Sequence, residues 1–385
     1  MFGNSINRRK FVTVASLALV AGCKVIPQGA PDSTPPPVAP PSATQLPADQ
    51  ARHRVALLVP LSGPNGAVGQ SIANATTMAL LDTNAANLRI TTYDTASGAP
   101  SAAARAIADG NKLILGPLVN EDIPAIAATA RAARVPVISY SNDAALAARD
   151  VFIMGSVPGQ SLGRTVSYAK ALGLTRYGAL VPAGEYGRRA SDAYLAAVRA
   201  QGGTVIAMES YDRANTSIIS AARRLREKGP FDAILIGDGG RFAAQAAPQL
   251  KPSASAAPRL LGTELWSGET VIATTPALRG ALFSAVADTR FRQFADSYKA
   301  RFGVQPYRIA TLGYDSVLLT LRVARDWRPG TVFPTARMLD RGGFLGLDGA
   351  FRFGTNGVID RALEVREVRS GGVTVVSPAP ARFAD

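Results

Sequence analysis

Residues 55–59, Val-Ala-Leu-Leu-Val, form an unbroken apolar run of strand length, and Pro60 ends it. The turn residues Ser62-Gly63-Pro64-Asn65-Gly66 follow, with two glycines free to take positive φ. Val68, Ile72, Ala75, Thr76, Ala79 and Leu80 then recur at helical spacing. Strand, Gly-rich loop and helix in this order open a parallel α/β domain. The loop stands at the carboxyl end of the strand, where ligands bind in open α/β sheets. A tight turn alone would explain the glycines equally well.

The pattern repeats along the chain. Residues 88–94, 112–115 and 135–139 read as strands, with helices over 101–109 and 122–133 between and before them. A second set follows. Helices are expected over 160–172, 186–200, 217–227 and 242–250, and strands over 177–181, 204–210, 233–237, 259–261 and 282–286. Helices over 290–302 and 309–325 resume the pattern. Short strands over 350–353, 363–369 and 373–376 close it, joined by Gly-containing turns. Two α/β sets of this length argue for two lobes rather than one barrel.

Residue counts narrow the chemistry. One Cys permits no intrachain disulfide, and one His, His53, leaves no set of Cys and His ligands for zinc. A nucleophile–His system would have to use His53, which precedes the first strand. Gly237-Asp238-Gly239-Gly240 follows a strand, but Phe242 stands where a dinucleotide fingerprint needs its third glycine. No phosphate loop, H-E-x-x-H or G-x-S-x-G occurs. The chain therefore reads as a binder and not an enzyme, with no metal and no cofactor. Its net charge of +14 comes from scattered arginines, with no Lys/Arg run longer than three. That suits an anionic envelope surface, and no nucleic-acid partner is expected.

Residues 1–23 read as an export signal. Arg8-Arg9-Lys10 precede the uncharged stretch 11–22, which is too short to span a bilayer comfortably. Leu19-Val20-Ala21-Gly22-Cys23 resembles the bacterial lipobox, so Cys23 is the expected lipidation site. Asn7-Arg8-Arg9-Lys10-Phe11-Val12 also resembles a twin-arginine signal. Residues 24–53 are the expected tether, with eight prolines between Pro27 and Pro47. About twenty such residues at ~3.1 Å each reach roughly 60 Å.

Over residues 54–376 the chain resembles the leucine/isoleucine/valine-type (type I) periplasmic binding proteins. The resemblance rests on VALLVPLSGPNGAVGQ, ITTYDTASGAPSAAARA, LILGPLV, VPVISYSND, ALVPAGEYGRRASDA, GYDSVLLTLRVARD and FLGLDGAFRFGTNGVIDRALEVREV. It implies two α/β lobes, each a mostly parallel sheet flanked by helices, joined by a three-crossing hinge around a ligand cleft. Lobe 1 would comprise 54–158 and 286–345, and lobe 2 would comprise 159–285 and 346–385. The crossings would lie near 154–158, 283–287 and 345–351.

By the same resemblance, Asn120 and Ser141 stand where hydroxyls bind an amino-acid carboxylate. Asp143 stands in place of a Thr and would repel that carboxylate. Tyr186 and Glu264 stand where an aromatic ring and the acid for the ligand ammonium are found. Asp238 stands where a second aromatic contact is missing. Each has a plain structural alternative: Tyr186 near its own helix start, Glu264 as a solvated loop acid, Asp143 as a helix cap.

The lipobox, the tether and the GPL, VPVIS and EYG segments look most like the penicillin-binding-protein activator lipoproteins. That likeness implies a lipid-anchored periplasmic regulator of a peptidoglycan synthase, on the outer membrane. The alternative is a solute-binding protein of a branched-chain amino acid-type ABC transporter, holding an amino-acid-like ligand.

Overall fold

Strand β1, His53–Val59, sits inside a sheet and is buried on both faces. Val55, Leu57 and Val59 enter one core cluster, while Ala56 and Leu58 enter another on the opposite face. Burial on both sides is what turns a parallel strand into a continuous apolar run. The computed structural model of the protein describes residues 51–251 and 257–383. The expected signal, Cys23 and nearly all of the tether lie outside the described residues.

Around β1 stand β2 (Leu88–Asp94), β3 (Ile114–Leu115), β4 (Val137–Ser139) and β5 (Val151–Ile153), in the order β2-β1-β3-β4-β5. All neighbours are parallel. Helices α1 (Gly66–Asp82), α2 (Ala99–Ala108) and α3 (Ile123–Ala132) make the crossovers.

The second sheet repeats that wiring. After α4 (Pro158–Ala171) come β6 (Arg176–Pro182), α5 (Glu185–Ala200), β7 (Thr204–Tyr211), α6 (Ser217–Glu227), β8 (Ala233–Ile236), α7 (Gly240–Leu250), β9 (Arg259–Leu261), α8 (Thr270–Thr274) and β10 (Leu282–Ala285). Their order is β7-β6-β8-β9-β10, the same switch between first and third strands. β14 (Glu364–Arg369) and β15 (Gly372–Ser377) extend this sheet antiparallel beside β10. Both sheets belong to one compact unit, Leu46–Asp385. The two-lobed fold expected from the sequence is therefore present.

Chain order and lobe membership are interleaved. Helices α9 (Thr289–Phe302) and α10 (Thr311–Ala324) return to lobe 1, where Phe294 and Tyr298 meet Ala75 and Met78 of α1. α10 crosses α1 closely, because a Cβ at Gly313 would stand 2.5 Å from the Ile72 carbonyl oxygen.

A third, antiparallel sheet, β11 (Phe344–Gly346), β12 (Gly349–Phe353) and β13 (Ile359–Arg361), also belongs to lobe 1. Phe344, Phe351, Phe353 and Ile359 enter the core cluster beneath β1, and Val358 bridges Ile153 of β5. The third crossing expected near 345–351 therefore falls after β13, before Glu364. Apolar alternation in β12 identifies a strand but cannot say which lobe its buried face serves.

Two polar side chains tie the crossings together. Gln160, at the start of α4, donates to the Ile359 carbonyl and accepts from the Arg361 N–H at 3.1 Å. Arg366 of β14 donates to Asp288 at 2.6 Å and to the Val286 carbonyl at 2.7 Å. Among the described residues no helix is long and apolar enough to cross a membrane.

Candidate functional site

The carboxyl ends of β3, β4, β9 and β10 open onto a cavity of about 460 Å³ between the lobes. Asn120, Ser141 and Arg308 line it from lobe 1, Glu264 and Leu265 from lobe 2, and Gln160 at the hinge. The Gly-rich loop after β1 contributes nothing to this wall. Gly63 supplies the turn with φ +68°, and Gly69, within α1, lets that helix lie against the Pro60 carbonyl. Of the two readings the sequence left open for that loop, its geometry supports the tight turn.

Glu264 projects from a short turn after β9. Thr263 accepts from Leu265 N–H at 3.3 Å, and Gly262 lets the buried Trp266 ring fold back over the strand end. Trp266 in turn donates to the Asp238 carbonyl at 2.8 Å. This packing aims the carboxylate inward. Oε1 accepts from the Tyr186 hydroxyl at 3.3 Å, and buried Oε2 has no partner. Burial pushes the Glu264 carboxyl up to about 7, against weaker pulls from its own backbone N–H, Tyr186 and Ser161. Burial and the Glu264 charge push the Tyr186 phenol well above its usual range. Tyr186 thus meets Glu264 without itself lining the cavity.

In lobe 1 the Ser141 hydroxyl donates to Asn120 Oδ1 at 2.6 Å and accepts from Asp143 N–H at 2.9 Å. Asp143 does not line the cavity. One of its oxygens caps the following turn through Ala145 N–H at 3.0 Å, and the other accepts from Arg189 at 3.1 Å. Its charge is therefore countered, and the repulsion expected from the sequence is corrected. Asp238 is also off the wall, buried beneath Arg213 (2.8 and 2.9 Å) and the Tyr211 hydroxyl at 2.5 Å.

Arg189 belongs to α5 of lobe 2, so its bond to Asp143 spans the lobes. Arg189→Ala is expected to loosen closure by about 1 kcal/mol, the upper end for a surface pair, because both side chains are mostly buried. Small-angle scattering of the ligand-free variant should show a larger radius of gyration. An unchanged radius at low and high salt would rule the latch out.

Sequence reasoning missed Arg308, Asp348 and Arg361. Arg361 is 2% exposed in its side chain and donates to the Met154 carbonyl at 3.1 Å. Asp348 accepts from Arg308 at 2.6 Å and from the Thr311 hydroxyl at 2.9 Å. Arg361 shares the inward face of β13 with Ile359, two residues earlier, but three residues are too few for that alternation to be read from the sequence. Among the described residues no group of three or more His, Cys, Asp or Glu could hold a metal.

A family model described as periplasmic binding protein matches residues 53–373. The structure of a putative branched-chain amino acid ABC transporter protein from Rhodospirillum rubrum superimposes with a TM-score of 0.74 at 21% identity, over 84% of this chain and 100% of that one. The branched-chain amino acid substrate-binding protein of Streptococcus pneumoniae, solved with isoleucine, gives 0.61 at 19% identity, over 85% and 100%. A solute-binding protein of R. palustris, solved with benzoate, gives 0.60 at 19%, over 87% and 98%. At these identities the likeness establishes the fold. An uncharacterized protein of Rickettsia prowazekii is 30% identical over 152 residues, which span 37% of this chain and 39% of that protein.

Proposed function

This chain belongs to the periplasmic binding protein family, and we propose that it is a non-catalytic solute-binding protein whose cleft takes a small amine-bearing ligand for an ABC transporter. One observation carries this reading. Glu264 presents a buried carboxylate oxygen without a partner on the cavity wall. A buried charge is stable only when paired, and a ligand ammonium supplies the missing partner. The bound isoleucine of the S. pneumoniae relative is an amine of this kind.

A thermal-shift screen of amino acids, short peptides and simple amines tests it. A ligand at a hundred times its Kd stabilises the fold by about 2.7 kcal/mol, a visible shift. No shift with any amine would refute the proposal.

A second reading, an activator of a peptidoglycan synthase, is favoured by the hydroxyl clamp. Ser141 and Asn120 bond one another, and Asp143 is held by Arg189. Recovery of a penicillin-binding protein from membranes of the native host, together with a flat ligand screen, would select it.

Both readings place the chain in the periplasm on a lipid anchor at Cys23. Cys23→Ala is expected to move the protein to the soluble fraction. The wash must be at high salt, because removal of Arg8, Arg9 and Lys10 with the signal leaves a net charge of 14 − 3 = +11, enough to attract the chain to anionic membranes. Retention after that wash would count against the anchor.

A further inference from the structure

The first sheet is parallel throughout, so the amino ends of its five strands share one edge, opposite the cavity. Cations crowd that edge. Arg54 of β1 is the register partner of Arg89 of β2, and like charges so placed repel. Lys112, ahead of β3, bonds through its N–H to the Arg54 carbonyl at 3.0 Å. Arg134 leads into β4 and Arg149 into β5, both exposed. α10 runs from the cavity to the same edge. Just past its end Trp327 stacks on His53, the first residue of β1, with ring centroids 4.3 Å apart. Arg325 and Arg328, both exposed, flank Trp327 in the chain.

The acids at this edge are few and engaged. Asp150 is held by Arg131 at 2.7 and 2.8 Å, and Asp109 accepts from the Tyr93 hydroxyl at 2.7 Å. Among the described residues, the side chains of Lys112, Arg134, Arg149, Arg325 and Arg328 have no hydrogen-bond or ion-pair partner. The matching edge of the second sheet is balanced instead. There Arg259 lies 3.9 Å from Glu367, and Asp232 accepts from the Thr175 and Arg176 N–H groups at 2.8 Å. Arg131, Arg134 and Arg149 also surround a hollow of about 310 Å³, which Pro136, Phe333 and the half-exposed Val332 line as well. Cations beside apolar side chains are the make-up of a surface that meets a lipid interface. The described chain enters at this edge, at Ala51, so the expected tether attaches here.

We propose that this edge of lobe 1 docks on the anionic headgroup plane of a lipid bilayer, with a headgroup phosphate seated between Arg134 and Arg149. The five strand ends, ~4.8 Å apart, span roughly 20 Å. Their cations form a plane of charge rather than a point, which fits a surface of headgroups better than one acidic segment of a protein. Lobe 1 then rests on the membrane, and the cleft opens a strand's length above it. The docking depends neither on the ligand reading nor on an acyl group at Cys23.

The test uses the chain from residue 23 onward with Cys23→Ser, so that no acyl group contributes. Vesicles are phosphatidylcholine, with or without about a third phosphatidylglycerol. Near physiological salt the chain is expected to sediment with the anionic vesicles and not with the neutral ones. One cation near such a surface strengthens binding about fivefold, so Lys112→Gln, Arg134→Gly and Arg149→Gln together should weaken it roughly a hundredfold. A control of equal charge loss on lobe 2, Lys170→Gln, Arg199→Gln and Arg279→Gln, should weaken it by about threefold or less. None of the six is buried, so both variants should melt with the parent chain. Orientation is read without touching these cations. An environment-sensitive fluorophore at Val332→Cys should shift when anionic vesicles are added, and one at Leu195→Cys, exposed on α5 of lobe 2, should not. Equal losses in the two triple variants would reduce the effect to net charge and overturn the docking face. A shift at Leu195 without one at Val332 would overturn it too. So would absence of binding to anionic vesicles, whatever acidic protein the chain captures.

Discussion

Glu264→Gln is expected to stabilise the ligand-free protein at pH 8 by up to about 3 kcal/mol while weakening any amine-bearing ligand by roughly 30-fold or more. Below pH 4.5, the ordinary value, the carboxyl is protonated in folded and unfolded chains alike, so it adds nothing either way. Between 4.5 and about 7 the unfolded chain ionises and the folded chain does not, so stability falls as pH rises. Above 7 both are ionised and the full burial penalty applies. Gln keeps a carbonyl for the Tyr186 hydroxyl and carries no charge. Its advantage should therefore be complete above pH 7 and vanish near 4.5. Urea unfolding of both proteins across that range reads it directly.

Binding runs the other way. An ammonium needs the ionised carboxylate, so wild-type affinity should rise about tenfold per pH unit toward 7 and then level off. Equal affinity of the two proteins for an amine at pH 8 would remove Glu264 from the site.

The second large effect concerns backbone packing. In α1, a Cβ at Gly69 would stand 1.7 Å from the Pro60 carbonyl oxygen and 2.8 Å from its carbon. In α5, a Cβ at Gly187 would meet Pro182 at the same two distances. Neither contact is with a flexible side chain, so the helix itself must move off the strand end. Gly→Ala inside a helix ordinarily stabilises by up to about 1 kcal/mol. Here Gly69→Ala and Gly187→Ala should each destabilise by about 3 kcal/mol or more. Gly163 of α4 has nothing within 4 Å of its Cβ position, so Gly163→Ala should show the ordinary gain. If all three variants unfold alike in urea, the close approach is not what these glycines serve.

Much of the architecture was legible because strands buried on two faces and helices buried on one have different apolar periods. β1, β2, β6 and β8 stand within a residue or two of expectation. β5, β11 and β13 were missed. They are three residues each and are held by neighbours rather than by composition. β5 and β13 take their register from the preceding strand, Val137–Ser139 across a loop for β5 and Phe351–Phe353 across a short hairpin for β13.

The site divides in the same way. Asn120, Ser141 and Glu264 follow strand ends that the sequence marks, and they reach the cavity. Asp143 and Asp238 also follow strand ends, but Arg189, Arg213 and Tyr211 hold them elsewhere. Those partners are not their sequence neighbours, so no local pattern announces them. Arg308 and Arg361 come from segments far along the chain that return to lobe 1, which periodicity alone does not reveal.

That return has a consequence for how the protein can be made. A ribosome releases β1–β5 long before α10 and β11–β13 exist to cover them, so one face of the first sheet waits for the chain's last third. The second sheet likewise waits for β14 and β15. Neither lobe is a continuous stretch, and a nascent chain halted before Phe344 has finished neither. Contacts of such high sequence separation close slowly. The cleft, with one wall from Glu264 and the other from Arg308 and Arg361, is among the last features to assemble. A molecule with both walls of the cleft in place is therefore one whose synthesis has passed β13.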